Sequence, residues 1–363
     1  MTTSPTTQIR DGAPGRLGDP ARSLATDPRV DPRVVAALAP FGAAEPASPP
    51  PVGPSSPRAE LLEFAEGMES GTEAMFDALM TGLPEVEGVE TETLTITATA
   101  GHTIELYVTR PVGVSHPLPC VFHLHGGGMV IASAANSAHD RWRRELAATG
   151  LVVVGVEFRN GAGRLGPHPF PAGLDDCADG LRWVASRTAE LGISHIVVAG
   201  ESGGANLALA LTIRAKREGF LAEISGVHAQ CPHIHGKWGE DSPALPSLVE
   251  NDGYFMNRAA LAALAEVYDP GFANADDATC WPARATAEDL ADLPPHVISV
   301  NELDPLRDEG IAYHRALLAA GVQSRAWLNL GLCHTGETLF RATMPDVYAA
   351  TIAGLSRFAH LLR

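Results

Sequence analysis

The chain has 363 residues, 45% of them hydrophobic, and a formal net charge of −17 at pH 7. That is enough chain for one large α/β domain with a smaller lid, and its acidity argues against nucleic acid or an anionic membrane surface as a partner, since both would repel it. No apolar run reaches the length of a membrane span, the start lacks a basic-then-apolar leader, and five spread cysteines without C-x-x-C spacing fit reduced thiols, so a cytoplasmic setting is expected.

Residues 1–28 are polar and rich in Gly, Pro, Ser and Thr, which predicts a segment without fixed structure. Residues 29–84 are expected to contribute cap helices. A short helix is predicted over 29–42, with Asp27 or Asp31 as its cap, each followed by proline. Glu45 to Pro57 reads as a stiff proline-dense linker, and apolar spacing between Pro57 and Leu83 predicts two helices. The runs Glu90–Thr99 and His102–Arg110, joined by Ala100-Gly101, predict an antiparallel hairpin.

From there strands and helices alternate. Strands are predicted at Cys120–His125, Leu151–Phe158, His195–Ala199, Ile224–Cys231, His296–Asn301 and Ser324–Leu330. Helices are predicted near 136–149, 171–191, 203–218, 307–320 and 345–361. Such alternation requires an α/β fold with a mostly parallel sheet, eight-stranded once the hairpin is counted, flanked by helices on both faces. This domain is expected to comprise 85–231 and 295–363. The stretch 232–294 is too long for a simple connection and holds an amphipathic piece, Asn257–Tyr268. It is read as a cap insertion lying with the N-terminal helices over one end of the sheet.

Gly200-Glu201-Ser202-Gly203-Gly204 follows an apolar β-branched run and opens a helix-forming one. Strand, tight glycine turn and helix form the setting in which a serine hydroxyl is held out as a nucleophile, with a helix N-terminus behind it. Such a serine needs a base, a group to orient the base, and donors for an oxyanion. In a sheet of this kind each should leave the carboxyl end of a strand. His125-Gly126-Gly127-Gly128 follows one predicted strand, and its backbone N–H groups with that of Gly203 are candidate oxyanion donors, each worth about 3 kcal/mol. Asp304 lies in the loop after another strand and is preferred as orienting acid to Glu302 and to Asp308, which falls in the first turn of a helix. His314, His334 and His360 follow Asp304, but only His334 sits on a loop after a strand, which makes it the base and gives the order Ser202, Asp304, His334.

Other constellations have plainer readings. His123-x-His125 and His233-x-His235 have the spacing of metal pairs, yet neither has a carboxylate or cysteine at ligand spacing, so no metal is expected and His125 is read as a brace for the glycine loop. Cys333 beside His334 is read as a small pocket-lining residue rather than a reactive thiol. Phe255, Met256, Leu261, Leu264, Tyr254 and Trp238 in the insertion suggest an apolar pocket.

HGGG at 125–128, GESGG at 200–204, DPLRDE at 304–309, the loop holding His334, and His168-Pro169-Phe170-Pro171-Ala172-Gly173 together resemble the hormone-sensitive-lipase-like branch of the α/β-hydrolase esterases. The likeness spans 90–363, and Val156–Asn160 is similar to the brefeldin A esterase type within that branch. The resemblance implies the α/β-hydrolase fold with a helical cap. It implies cofactor-free ester hydrolysis through Ser202, Asp304 and His334, and an oxyanion hole at Gly127, Gly128 and Gly203. Members often pair through edge strands, which implies a homodimer. The chain departs from the branch at Glu157–Gly166 (usually D-Y-R-L-A-P-E), at Glu201 (commonly Asp or Thr) and at His334-Thr335-Gly336-Glu337 (usually His-Gly-Phe).

The expected activity is thus that of a serine carboxylesterase acting on a small-molecule ester, rising through about pH 6 to 8 as the base deprotonates. A lactone or amide is the alternative bond for the same residues. A non-catalytic small-molecule receptor on the same fold is the alternative from another class.

Overall fold

The structure is a computed structural model that describes residues 19, 21–239 and 242–362. Eight strands form one sheet in the order β1-β2-β4-β3-β5-β6-β7-β8: β1 Val89–Thr97, β2 Thr103–Pro111, β3 Leu118–Leu124, β4 Val152–Glu157, β5 Ile193–Glu201, β6 Gly226–Gln230, β7 His296–Asn301 and β8 Ser324–Asn329. β1 and β2 form the hairpin and β2 meets β4 antiparallel, while every pair from β4 to β8 is parallel. The helices are α1 Pro32–Leu38, α2 Arg58–Met80, α3 Ser137–Ala147, α4 Ala172–Ala185, α5 Thr188–Leu191 and α6 Gly203–Glu218, followed by α7 Ser247–Glu250, α8 Arg258–Tyr268, α9 Ala287–Leu290, α10 Arg307–Ala319, α11 Gly336–Leu339 and α12 Pro345–Leu361.

Strands β3 to β7 are almost wholly buried because both faces of the sheet are covered there. Their alternation sorts side chains by face. Val121, Val153 and Val197 meet Trp142 and Leu146 of α3 and Leu355 of α12. Their neighbours Phe122, Val154 and Val198 share the opposite core with Leu181 of α4 and Leu207 of α6. β3 lies between β4 and β5, so the chain leaves it toward one side and returns on the other. That reversal opens a crevice beyond the carboxyl ends of β3 and β5, where open α/β sheets bind ligands.

Several expectations need adjusting. The proposed segment without fixed structure lies outside the described residues at 1–18 and 20, but from Ala21 the chain is ordered: Leu24–Thr26 forms a 3-10 turn and Leu24 is fully buried. Asp31, not Asp27, caps α1, accepting from Arg33 N–H, and Pro32 is its first residue. The two helices expected between Pro57 and Leu83 are one 23-residue helix, α2. Gly67 and Gly71 lie between the two apolar groups, and each costs a helix about 1 kcal/mol. Tertiary anchors override that cost: Leu61, Ala65 and Phe76 are buried, and Glu69 accepts from Ala132 N–H and Arg164 N–H at 2.9 and 2.8 Å. Conversely the helix expected over 171–191 is split into α4 and α5, with Ser186 ending the first and its hydroxyl capping Trp183 O.

Candidate active site

β5 runs into Ser202, which adopts φ 55° and ψ −118°, a conformation costly for any residue but glycine. It is pinned there by its neighbours: Ser202 N–H donates to Gln230 O at 2.8 Å, and His233 N–H donates to Ser202 O at 3.3 Å. The flanking glycines permit a very close approach. A Cβ on Gly204 would lie 1.9 Å from Leu124 O, and one on Gly203 would lie 2.6 Å from Gly128 N. The loop after β3 is thereby laid against the start of α6. Gly127 and Gly128 line a cavity beside Ser202, and Gly203 sits one layer behind. Among the described residues none accepts from the N–H of Gly127, Gly128 or Gly203, and the last, as the first residue of α6, has no acceptor in its own helix.

Asp304 and His334 arrive from the loops after β7 and β8. His334 Nδ1–H donates to Asp304 Oδ2 at 2.7 Å, and Ser202 Oγ–H donates to His334 Nε2 at 2.8 Å. The other Asp304 oxygen accepts from Leu306 N–H at 2.9 Å, so the carboxylate is fixed by its own loop. All three are buried, with exposures of 7% for Ser202, 0% for Asp304 and 4% for His334. Burial works against the imidazolium, but the Asp304 carboxylate, with Glu337 and Glu201 behind it, holds the His334 pKa above the ordinary histidine value. The rejected acids serve the loops: Glu302 accepts from Gly331 N–H and Asp308 from Ser247 N–H.

What the sequence did not reveal is the work of Glu201. Its side chain turns back beneath the glycine loop, accepting from Gly126 N–H at 2.7 Å and pairing with His123 Nε2 at 2.8 Å, with His139 Nε2 at 3.3 Å. Burial alone would raise its pKa, but the two histidines and the Gly126 amide reverse that and bring it down to about 2. Glu201 is thus an ionised tie between the turn at Ser202 and the glycine loop. The contact follows from the strand register: the pairing of Leu124 with Gly200 places His123 within reach of the residue after Gly200. His123 and His125 therefore do not act as a pair. His125 Nδ1–H donates to Gly126 O at 2.7 Å and its ring stacks on Phe158 at 4.1 Å, bracing the loop.

The remaining expectations divide. His233 lines the cavity and packs on Trp238 at 4.0 Å, while His235 Nδ1 accepts from Lys237 N–H, so these two also part company. Phe255, Met256, Leu261 and Leu264 do line the cavity. Trp238 and Tyr254 do not; they are fully buried structural side chains, bonded to Glu309 and Asp27. Cys333 is likewise not in the wall but packed in the core with Leu24 and Leu38, and burial pushes its thiol pKa far up. Cys231 Sγ, Asp304 and His334 present ligand atoms within 4.8 Å of one another, but Asp304 and His334 are hydrogen-bonded to each other, His334 also meets Ser202, and the buried thiol faces Glu337.

The altered loops resolve into specific contacts. Glu157 accepts from Ser133 Oγ–H at 2.7 Å and Ala134 N–H at 3.0 Å. Thr335 takes φ 53° where the branch usually has glycine, and Glu337 points inward to accept from Asn301 Nδ2–H. The cavity holds about 240 Å³; α2 closes it with Met68, Met75 and Phe76, and α8 with Leu261 and Leu264.

Residues 121–336 match the family model described as the alpha/beta hydrolase fold. The chain is similar to carboxylesterase NlhH of Mycobacterium tuberculosis, 33% identical over 266 residues that cover 71% of this chain and 79% of that protein. Among solved structures it is similar to brefeldin A esterase, described as a bacterial homologue of human hormone-sensitive lipase, with 45% identity and a TM-score of 0.92 over 95% of this chain and 97% of that one. It is also similar to esterase Est22, at 35% identity and a TM-score of 0.83 over 93% of this chain and 99% of that one. The chain belongs to the α/β-hydrolase family, in its hormone-sensitive-lipase-like branch of carboxylic ester hydrolases.

Proposed function

We propose that the protein is a serine carboxylesterase that works through an acyl-enzyme on Ser202. The observation that carries this reading is the unbroken line Asp304–His334–Ser202, with contacts of 2.7 and 2.8 Å, on the floor of a cavity. His334 Nε2 takes the hydroxyl proton as Ser202 Oγ attacks the ester carbonyl. The charge that develops on the carbonyl oxygen is met by the N–H groups of Gly127, Gly128 and Gly203, which are fixed in advance and spend nothing on reorientation. Collapse expels the alcohol, protonated by His334. Water, deprotonated by the same imidazole, then attacks the acyl group and releases the acid. Asp304, bonded to Nδ1–H, selects the tautomer that leaves Nε2 free.

A cavity of about 240 Å³ walled by apolar side chains favours compact esters over emulsified fat. Five free, buried cysteines suit a reducing compartment, which supports the cytoplasmic reading. A homodimer is part of the proposal: β8 ends the sheet, and its Trp327 and Leu328, with Leu330 just beyond, are exposed apolar side chains on an unpaired edge. The experiment is stopped-flow hydrolysis of p-nitrophenyl butyrate. A burst of p-nitrophenol equal to one per active site followed by slower turnover supports the acyl-enzyme, whereas undiminished turnover by Ser202→Ala rejects it.

A further inference from the structure

The cavity wall carries a single Lys or Arg side chain among the described residues that line it, Arg341. It follows α11, just after the His334 loop, and is only 6% exposed. Its ring neighbour is Tyr348, with the guanidinium carbon 4.3 Å from the ring centroid, which fixes the side chain in place. Its hydrogen bonding is incomplete. Nε has no partner, and Nη1 lies 2.9 Å from Glu145 Oε2 but in a direction that makes no hydrogen bond. That same carboxylate already accepts from Arg141 Nε at 2.8 Å and from the Tyr348 hydroxyl. Two guanidiniums and a phenol therefore share one carboxylate, and the cluster keeps a net positive charge.

A buried donor left without an acceptor is destabilising, so one expects a reason for it. The other ionisable groups facing the cavity do not meet it. Glu201 is committed to His123 and Gly126 N–H. His139 and His233 are held neutral by burial, with pKa values pushed down to about 4 and about 3.

We propose that Arg341 forms a subsite for a carboxylate on the substrate, remote from the bond that is cut, so that the preferred esters carry a second, ionised carboxyl group. This rests on the esterase reading of Ser202. Nε and Nη1 are enclosed, the latter beside Glu145, so the guanidinium would meet a ligand through Nη2, with one charge-assisted hydrogen bond to a carboxylate oxygen and the surplus positive charge of the cluster behind it. The long-range field of a chain with net charge −17 opposes an anion. Recognition must therefore come from inside the cavity. The carboxylate belongs either to the acyl half, as in a half-ester of a dicarboxylic acid, or to the alcohol half, as in an acylated hydroxy acid.

The test compares kcat/KM, by product chromatography at pH 7.5, for two matched pairs: monoethyl glutarate against its terminal carboxamide, and 4-(butyryloxy)butanoate against its carboxamide. Each pair isolates the charge with the scissile ester unchanged. The subsite predicts that wild type prefers the carboxylate at least tenfold in one pair, and which pair shows it assigns the half of the ester. In Arg341→Met that ratio falls tenfold or more, and in Arg341→Lys it falls partway; any change common to both esters cancels. The wild-type ratio needs no variant to fold. Ratios near or below one in both pairs, or a preference that survives Arg341→Met, overturn the subsite while Ser202-dependent hydrolysis of the carboxamides leaves the esterase reading standing. If no ester is hydrolysed faster than by Ser202→Ala, both fall together.

Discussion

The rim of the cavity and its cap are built by different means. Each candidate reacting group on the rim sits one to five residues beyond a parallel strand and is held by short hydrogen bonds: Ser202 by Gln230, Asp304 by Leu306, His334 by Asp304, and Gly126 by Glu201. The cap wall, formed by α2 and α8, presents mostly apolar side chains, and its polar anchoring rests on a few links such as Glu69 to the Ala132 and Arg164 amides. The contrast separates chemistry from choice. Strand ends place atoms to within the tolerance that proton transfer demands, whereas a wall held by packing can change shape by substitution without disturbing them.

The largest effect that sharpens this contrast is at the rim. Ser202→Ala should lower kcat for p-nitrophenyl butyrate by about 10⁶-fold, toward the level supported by the oxyanion donors and binding alone. Asp304→Asn should cost about 10⁴-fold, because an amide at that position favours the wrong imidazole tautomer. The pH dependence of kcat/KM follows from the same pair. His334 must be neutral to act, so activity rises with pH, and since its pKa is held up by Asp304 the rise should be centred above the ordinary histidine value. A profile centred below that value would break the link between the acid and the base.

Glu201→Ala comes next and acts through stability as well as rate. Removing one member of the buried Glu201–His123 pair should cost about 3–5 kcal/mol in urea denaturation and lower kcat more than it alters KM, because Gly126 loses its acceptor. The Glu201 pKa is lowered in the folded state to about 2, so its contribution is complete above the unfolded value near 4.5 and is lost as pH falls between the two. The stability gap between wild type and variant should narrow over that window. The smallest effect is in the cap. Leu264→Trp should reduce kcat/KM for octanoate relative to acetate esters by about 10-fold, by filling cavity rather than moving the rim. An equal loss for both esters would mean that cap and rim are mechanically coupled.

Much of the rim was legible because its signals are local. β-branched runs mark buried strands, glycines mark positions of close approach, and the order Ser202, Asp304, His334 follows successive strand ends. What was illegible depended on contacts between distant segments. Apolar spacing divides α2 in two, and the helix continues because Leu61, Ala65 and Phe76 are buried and Glu69 reaches Ala132 and Arg164. Nothing near Glu201 in sequence identifies His123 as its partner, since that follows from the β3–β5 register. Trp238 and Tyr254 look like pocket residues by composition, yet each has a polar atom that finds a buried acid and draws the ring into the core.

In the proposed mechanism Ser202, activated by His334, carries the acyl group. Treating the protein with a p-nitrophenyl alkylphosphonate, which traps such a serine, and weighing the intact chain and its peptides tests this directly. The expected result is one adduct per chain on the peptide containing Ser202, formed faster as pH rises and absent in Ser202→Ala. An adduct on another residue, or modification of Ser202 that proceeds equally fast in His334→Ala, would contradict it.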